Sequence, residues 1–335
     1  MSGGAAMTLT PEPPTPAEPV PGTDGLTLPQ FLRCTADRYS PPHTPADPRL
    51  ARLGDVFIAA GLAALHRAAA GPSWSEFRLR PVGADRGELY ARIVRLGREA
   101  LDTGEIDAFF FVHKAPGLRL RFRTGPNATA EPDHLAAPSV WQDQGCVASW
   151  SAAVYEPEEH LFGGPVSMDS VHRIFTADSL LWAEQHASAV RTGPPWALSL
   201  LMTRALFEEL GVSGWEDREI WDLLRRRAHR RFAGEPPLSW QRTAESLGRL
   251  WADPERLRSL LDPQCLEALG EYRAAVRHAC AHWQETYFQR PGARVGPREA
   301  AAFLVVHHWN RARLPMERQI AVTEALSGPE NLAVL

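Results

Sequence analysis

The chain has 335 residues, of which 44% are hydrophobic and 23% are charged, enough apolar sequence for one large folded domain or two smaller ones. The formal net charge of -4 gives no overall attraction to polyanions, so we expect no nucleic-acid partner. Neither an apolar run of the roughly 18 residues that a membrane span requires nor a signal peptide is visible, so we expect no membrane partner and a cytoplasmic location.

The N-terminal segment over residues 1–26 is small, polar and rich in proline. Such a composition cannot bury enough apolar surface to offset the entropy lost on ordering, so we predict a disordered tail. Residues 27–72 follow as a helical segment, with a helix over 50–70 that is indicated by the near-helical spacing of its leucines and Phe57. We expect residues 27–335 to form a single α+β domain.

Residues 73–168 are the sheet-rich part of that domain. Short apolar or alternating runs predict strands, one amphipathic run predicts a helix, and Pro157 with Gly163 and Gly164 marks an ordered loop over 156–165. The predicted strands are 74–80, 108–112, 118–123 and 146–155, and the predicted helix is 88–101. The fold class is therefore α+β, with a mixed or antiparallel β-sheet layer covered by helices.

Residues 169–328 have helical periodicity almost throughout, which makes the C-terminal half mostly helical. We predict helices over 169–190, 196–210, 216–232, 244–250, 266–286 and 296–314. The four cysteines, Cys34, Cys146, Cys265 and Cys280, show no C-x-x-C pair and no ligand-spaced histidines nearby. We therefore expect reduced thiols and no metal site.

Three arginines alternate with apolar residues along the strand predicted over 118–123. Arg119, Arg121 and Arg123 share one face, whereas Leu118, Leu120 and Phe122 share the other. Neighbouring guanidiniums repel one another unless their face meets water or an anionic, carbonyl-rich ligand. The pattern is consistent with either a substrate wall or the solvated face of an edge strand, with Glu158 favoured as the structural partner of Arg119 and Arg121.

A polar group interrupts the apolar helix predicted over 296–314. Phe303, His307 and Arg311 are spaced i, i+4 and i+8, Asn310 lies three residues after His307, and His308 belongs to a second, overlapping stripe. A lone histidine on an apolar helix is more often a satisfied core residue than a catalyst. A cluster of imidazole, amide and guanidinium needs partners, however, and we favour a role in the site.

Two further motifs have competing interpretations. Asp178 and Ser179 precede the apolar residues 180–182 and are interpreted first as a helix cap, with a role in the site as the alternative. Tyr287 lies at an aromatic-rich helix end, where a buried tyrosine that donates to a backbone carbonyl and a proton donor are equally compatible with the pattern.

Four segments, taken in order, resemble the thiopeptide-type bacteriocin biosynthesis domain. They are FFVHKAPGLRLRFR at 110–123, YEPE at 155–158 with GGP at 163–165, FTADS at 175–179 and HHWNR at 307–311. The resemblance covers residues 74–326. Domains of this kind form the C-terminal elimination portion of lantibiotic dehydratases, free-standing elimination partners in split systems, and the free-standing pyridine synthases of thiopeptide pathways.

Two departures from the pattern favour the pyridine synthase branch. Elimination domains have an acidic-x-x-Arg pair in the Tyr-Glu loop and a histidine four residues before the Asn-Arg pair, whereas this chain has Leu161 and Val306 there. The resemblance then implies a formal [4+2] aza-cycloaddition between two dehydroalanines of a modified precursor peptide, followed by loss of water and of the leader peptide. It implies no cofactor.

The same resemblance, combined with the residue chemistry, selects the candidate site residues. The candidate catalytic residues are Tyr287, His307, His308 and Glu158. The candidate substrate-binding residues are Arg119, Arg121, Arg123, Tyr155, Glu156, Ser179, Gln284, Asn310 and Arg311. The expected partners are a leader-bearing precursor peptide and other enzymes of the pathway. The alternatives are a subunit that eliminates glutamate from glutamylated serine and a non-catalytic scaffold that binds the precursor.

Overall fold

The computed structural model describes residues 20, 23–39, 47–70, 74–83, 86–128, 132–188 and 193–328. They belong to two compact units, residues 1–72 and 73–335, which are described separately. Nearly all of the predicted tail over 1–26 lies outside the described residues, and a single domain over 27–335 stays a prediction. None of the described helices combines the length and the hydropathy needed to cross a bilayer.

The described residues of the first unit form two helices, α1 (Leu28–Tyr39) and α2 (Pro48–Ala70). The buried ring of Phe31 meets the ring of Phe57 edge to face, with their centroids 5.5 Å apart. Gly54 lies against the side chain of Thr35, where a Cβ atom would be 3.3 Å from the threonine hydroxyl. The helix predicted over 50–70 is confirmed as α2. Helix α1 is a second helix within the helical segment predicted over 27–72.

In the described part of the second unit, four strands form one antiparallel sheet in the order β2-β3-β1-β4. Its strands are β1 (Trp74–Pro81), β2 (Ile106–Lys114), β3 (Gly117–Thr124) and β4 (Val147–Ala153). The alternation predicted over residues 74–80 and 118–123 is confirmed, and so is the α+β class. Strand β2 lies at one edge of the sheet, and its buried aromatic residues 109–111 pack beneath the helices.

The described residues of the second unit form ten helices, some of which cover the sheet while the others make up most of the C-terminal half. They are α3 (Gly87–Thr103), α4 (Asp133–Asp143), α5 (Pro165–Ala187), α6 (Pro195–Glu209), α7 (Asp217–Arg227), α8 (Trp240–Ala252), α9 (Pro254–Arg258), α10 (Pro263–Trp283), α11 (Pro297–Arg311) and α12 (Met316–Ser327). Short 3-10 turns lie at Glu159–Leu161 and Gly214–Glu216, and a π turn at Gln284–Phe288 extends α10.

The helix ends differ from the prediction where proline acts. Helix α5 begins at Pro165 rather than at residue 169, because proline at the first helical position needs no hydrogen bond for its nitrogen. The run predicted over 296–314 ends at Arg311, and Pro315 then precedes the separate helix α12. Helix α4 was not predicted because Pro138, which usually interrupts a helix, lies inside it.

Side chains from two helices hydrogen-bond to the edge of β2 that faces away from β3. The backbone N–H groups of Phe109 and Phe111 donate to the hydroxyl oxygens of Thr176 (3.1 Å) and Ser179 (3.3 Å) on α5. The next outward N–H group, that of His113, donates to Asn310 on α11 at 2.7 Å. These bonds satisfy buried donors that an edge strand would otherwise leave unpaired, and they fix both helices against the sheet.

Candidate functional site

A cleft with a volume of about 340 Å³ opens beside strands β2 and β3, the loop after β4, and helix α11. Seven of the predicted site residues line it: Arg119, Arg121, Tyr155, Glu156, Glu158, His307 and Asn310. Leu161 and Val306 line it as well, so both departures from the elimination pattern lie at the cleft. Lys114 is a further lining cation that the sequence did not single out. The cleft is the candidate site.

Glu76 anchors the arginine face from beneath. It faces Arg121 in the register of β1 with β3 and is only 1% exposed. Arg121 Nε donates to Glu76 Oε2 at 2.7 Å, while Arg119 and Arg78 lie 3.7 Å from Oε1. The expectation that Glu158 is the partner of these arginines is wrong, because Glu76 on the adjacent strand occupies that position.

Aromatic rings support the guanidinium of Arg121. Its central carbon lies 4.5 Å from the ring centre of Tyr155 and 5.0 Å from that of Phe110. A ring face attracts a cation, and the contact restricts the rotamers of a long side chain. The ion pair and the two rings together hold Arg121 at the cleft.

Glu158 pairs with His307, the distance between Oε2 and Nε2 being 3.1 Å. This hydrogen bond lowers the pKa of Glu158, so the carboxyl group is ionised and accepts the bond. Burial lowers the pKa of His307 below its ordinary value, although Glu158 partly opposes the shift. A neutral His307 that donates from Nε2 has the lone pair of Nδ1 as a proton acceptor.

Beneath the cleft, Tyr155 is hydrogen-bonded to a histidine that was not among the predicted residues. The phenol oxygen lies 2.9 Å from Nε2 of His172, which is 2% exposed. Burial lowers the pKa of His172 to about 3 and raises the pKa of Tyr155 above its ordinary value, so both groups are neutral. The pair therefore provides a neutral phenol at the cleft.

Asn310 is fixed to strand β2 by both ends of its amide. Its Oδ1 accepts the N–H of His113, and its Nδ2 donates to the carbonyl of the same residue at 2.9 Å. The His113 Nδ1–H donates to the Asn310 carbonyl at 2.7 Å, which leaves Nε2 to accept the hydroxyl proton of Tyr90 at 2.6 Å. Asn310 lines the cleft, but its polar groups position α11 instead of facing a ligand.

Arg123 lies outside the cleft although it shares the alternation of β3. Its side chain is 8% exposed and is paired with Asp107 and with Asp169, the second contact measuring 2.8 Å. Its guanidinium also lies over the ring of Trp74. The predicted substrate-binding role of Arg123 does not fit this position, because both of its partners belong to the protein.

Asp178, His308 and Arg311 form a buried cluster behind the cleft. Asp178 accepts from His308 Nδ1 at 2.6 Å and from Arg311 Nε, and His308 Nε2 lies 2.8 Å from the hydroxyl of Ser199. Burial acts to raise the pKa of Asp178, but its interactions with His308 and Arg311 hold it below its ordinary value. Because this cluster is closed to the cleft, the predicted site roles of His308 and Arg311 do not fit it.

The cap predicted at Asp178 and Ser179 is wrong. Both residues lie in the middle of α5, where Asp178 is 2% and Ser179 0% exposed. Apolar residues follow them because all sides of this helix segment are packed, not because a helix begins there. The Ser179 hydroxyl accepts the N–H of Phe111, which places it away from the cleft.

Tyr287 and Gln284 have structural partners outside the cleft. The Tyr287 hydroxyl oxygen accepts the backbone N–H groups of Arg294 and Val295, each at 3.0 Å, instead of donating to a carbonyl. Its ring packs on Gly163, where a Cβ atom would lie 2.1 Å from the phenol oxygen. Gln284 donates to the carbonyl of Leu210 at 3.2 Å. Neither residue lies where the predicted site role requires.

The cleft thus combines two anchored guanidiniums, an ionised carboxylate, a neutral imidazole and a neutral phenol. Such groups can bind a peptide carbonyl oxygen, stabilise negative charge that develops on it, and accept and return a proton. Within the described ranges, no three His, Cys, Asp or Glu side chains are grouped closely enough to hold a metal ion.

Comparisons with known proteins agree with this architecture. The sequence model described as "Lantibiotic biosynthesis dehydratase C-term" matches residues 74–327. Among solved structures, the tRNA-dependent lantibiotic dehydratase MibB from Microbispora sp. 107891 has a similar fold, with a TM-score of 0.54 and 20% sequence identity. The similarity covers 79% of this chain and 28% of the MibB chain.

A comparison with curated protein sequences gives no match. The family model covers well over half of the chain, and its bounds coincide with the sheet and the helices that form the cleft. The chain therefore belongs to the lantibiotic biosynthesis dehydratase C-terminal family.

Proposed function

We propose that this protein is a pyridine synthase that closes the macrocycle of a thiopeptide. Family membership supports a role in the maturation of a ribosomally made peptide. The observation that supports the finer assignment is the presence of Leu161 and Val306 in the cleft wall. At these positions, the elimination domains that the chain resembles have an arginine and a histidine. Their replacement by apolar side chains removes two polar groups from the cleft itself.

The proposed reaction joins two dehydroalanines of one linear peptide. A backbone amide shifts to its imidic form, so that C=C–N=C(OH) serves as the four-atom component and the second dehydroalanine as the two-atom component. Two carbon–carbon bonds form, and loss of water and then of the leader as an amide makes the ring aromatic. No net oxidation is required, because both eliminations supply the additional double bonds.

Arg119 and Arg121 are suited to stabilising the oxygen of the imidic form. The Nε–H of Arg121 donates to Glu76, and the other guanidinium N–H groups are the donors proposed for the substrate oxygen. Donors that are held in place before the reaction need no reorganisation as charge develops, and one such donor typically contributes about 3 kcal/mol. The buried anchor and the aromatic contacts of Arg121 supply this preorganisation.

His307 is the proposed proton carrier. Its Nδ1 lone pair takes the amide proton as the imidic form develops, and the resulting imidazolium lies beside the ionised Glu158. His307 returns that proton to the amide oxygen, which becomes the hydroxyl of the imidic form. When water is lost, His307 takes the proton that the ring gives up and passes it to the departing hydroxyl. General acid–base catalysis of this type typically accelerates a step by about 10²–10⁴-fold.

The cleft must also bring two distant segments of the peptide together. Effective molarities of well-oriented reactions correspond to about 7–11 kcal/mol of the barrier. The apolar wall that includes Leu161 and Val306, and the aromatic floor of Phe110 and Phe175, exclude water from the reacting carbons. The polar groups that line the same cleft are suited to binding peptide carbonyls.

The test is mass spectrometry of the purified protein with two substrates in separate reactions. One is a leader-bearing thiazole peptide with two dehydroalanines, and the other is a peptide with a glutamylated serine. Release of intact leader amide together with a dehydrated macrocycle is the expected result. Loss of glutamate from the second peptide, with the first unchanged, overturns the proposal in favour of elimination.

Glutamate elimination is the second candidate because the arginine pair at the cleft suits a glutamyl carboxylate. Arg119 and Arg121 match the arginines that elimination domains use near the glutamylated substrate, and both line the cleft. If elimination is the reaction, replacing either arginine with alanine abolishes glutamate loss. Binding of both peptides without turnover would instead identify a scaffold.

A further inference from the structure

The sheet face that forms one wall of the cleft continues beyond the cleft. In the strand register, Arg119 on β3 lies opposite Arg78 on β1, and Arg78 lies opposite Ser151 on β4. Residues directly opposite each other in an antiparallel pair share a face, so these three side chains form one row. Arg80 on β1 and Ser149 on β4 form the neighbouring row. Both rows lead from the cleft wall to the far edge of the sheet.

Helix α5 covers one end of this face, and the other end is exposed. At the covered end, the ring of Trp74 lies 4.4 Å from that of His172 on α5. At the open end, the side chain of Arg78 is 57% exposed, and Arg80 and the two serines of β4 are exposed as well. Since Arg119 lines the cleft and lies beside Arg78, the open end is accessible from the cleft.

The strands contribute more positive than negative charge to the open end. Arg78 and Arg119 each lie 3.7 Å from Oε1 of Glu76, and Arg121 lies 2.7 Å from Oε2, so three guanidiniums share one carboxylate. Arg80 forms no ion pair with any residue that the structure describes. Like charges opposite each other on neighbouring strands repel, and an anion bound over them relieves that repulsion.

We propose that Arg78 and Arg80 bind the α-carboxylate at the C-terminal end of the substrate peptide. The inference rests on the proposed function only in taking a linear, leader-bearing precursor peptide as the substrate. The leader precedes the reacting residues, so the segment that follows the second dehydroalanine ends in a carboxylate. A guanidinium binds a carboxylate through two parallel N–H donors, and Ser149 and Ser151 supply hydroxyl donors beside the arginines.

The dimensions of the sheet set the length of that peptide segment. Neighbouring strands lie about 4.8 Å apart, so β1 and β4 lie one and two such spacings from β3 at the cleft wall. An extended chain advances about 3.3–3.6 Å per residue, so roughly two or three residues reach from β3 to the region between β1 and β4. We therefore expect a segment of this length to place its carboxylate at Arg78 and Arg80.

The test measures how two forms of one peptide bind to the full chain, by fluorescence polarisation. The labelled peptide carries the leader and thiazoles, and serines replace the two dehydroalanines so that it cannot cyclise. Three residues follow the second serine and end in either a free carboxylate or a carboxamide. We expect the free acid to bind about 3- to 10-fold more tightly, and salt to reduce this ratio. Equal affinities for the two forms overturn the proposal.

Variants locate the binding of the carboxylate. Arg78→Gln with Arg80→Gln should abolish the difference in affinity between the two forms, and Arg80→Gln alone, which breaks no ion pair among the described residues, should reduce it. The matched control is Arg95→Gln with Arg256→Gln, two exposed arginines outside the cleft lining, and it should keep the wild-type difference. Circular dichroism melting establishes that each variant is folded. A difference that survives in the folded Arg78 and Arg80 variants overturns the proposal.

Binding and turnover fail independently in this design. A protein that prefers the free acid through Arg78 and Arg80, but does not cyclise the dehydroalanine peptide, retains the inference and loses the proposed function. A protein that cyclises the dehydroalanine peptide with the same KM for its free acid and its carboxamide retains the proposed function and loses the inference.

Discussion

Helix α11 contributes to two clusters with similar chemistry and different surroundings. On one side, His307 is bonded to Glu158 and faces the cleft with Arg119 and Arg121. On the other side, His308 is bonded to Asp178, which also accepts from Arg311. Each cluster contains a histidine, an acid and at least one arginine. Only the first has polar groups directed at an open volume.

The difference shows that residue type alone does not define a site. One step along an α-helix turns the side chain by about 100°, which moves His308 from the cleft to the packed side of α5. There both ring nitrogens of His308 are hydrogen-bonded, one to Ser199 and the other to Asp178. A polar cluster whose partners all belong to the protein stabilises the fold or its specificity, whereas one with an unused acceptor can act on a substrate.

Replacing His307 gives the largest expected effect. His307→Gln should reduce the rate of macrocycle formation by about 10²–10⁴-fold, because the proton acceptor is lost while most of the volume of the side chain remains. The measurement is the rate of leader release, followed by mass spectrometry at saturating substrate. A rate within a factor of three of the wild-type rate would contradict the assignment of the proton carrier.

The pH profile provides the control for that variant. Since the proposed mechanism uses the neutral form of His307 and burial lowers its pKa, activity should persist at pH 6.5 and fall only at lower pH. Glu158→Gln removes a partner that raises this pKa, so the acid limb should shift to still lower pH. A shift to higher pH would show that the pair does not act as described.

The buried cluster should affect stability instead of chemistry. Asp178→Ala leaves the guanidinium of Arg311 buried without its partner, and breaking a buried ion pair in this way typically costs about 3–5 kcal/mol. Urea unfolding measures the free energy of unfolding, with Glu158→Ala as the exposed control that should cost less than about 1 kcal/mol. Equal losses for the two variants would remove the distinction between the clusters.

Acid should destabilise the fold through the half-buried His113. Burial lowers the pKa of His113 to about 4, so an unfolded chain binds a proton below pH 6.5 that the folded chain does not. Protonation linked to His113 therefore does not affect stability above pH 6.5. It lowers the free energy of unfolding by about 3 kcal/mol as the pH decreases to 4. Urea unfolding at several pH values tests this, and His113→Gln should make the decrease smaller. An unchanged decrease would assign it to other groups.

The sequence predicted most reliably those side chains that a single periodicity places on one face of a strand or helix. Alternation in β3 correctly placed Arg119 and Arg121 on one side, and helical spacing correctly grouped Phe303 with His307 at the cleft. Leu161 and Val306 are distant in sequence, yet both line the cleft.

The sequence did not show which strand or helix lies beside each motif in the fold. Glu76 pairs with Arg121 only because β1 lies beside β3 in a register that local pattern does not specify. The alternation of residues 74–80 offered a signal, since it places Glu76 on the same face as Arg78. His172 was missed because its partner Tyr155 belongs to a loop, and contacts between loops and helices have no periodicity.

Replacing Ser179 has the smallest expected effect, and it distinguishes a structural role from a contact with the substrate. It belongs to a motif that was expected in the site, yet its hydroxyl accepts the N–H of Phe111 at 3.3 Å and is fully buried. Ser179→Ala leaves this buried N–H without an acceptor, so the free energy of unfolding should decrease by about 1–3 kcal/mol, while turnover per folded molecule stays unchanged. Thermal melting and leader release measured on the same preparation separate the two effects. A tenfold loss of turnover with unchanged stability would place Ser179 among the substrate contacts. The expected outcome places it with Thr176 among the residues that fix α5 to the edge of β2 and thereby keep the cleft in shape.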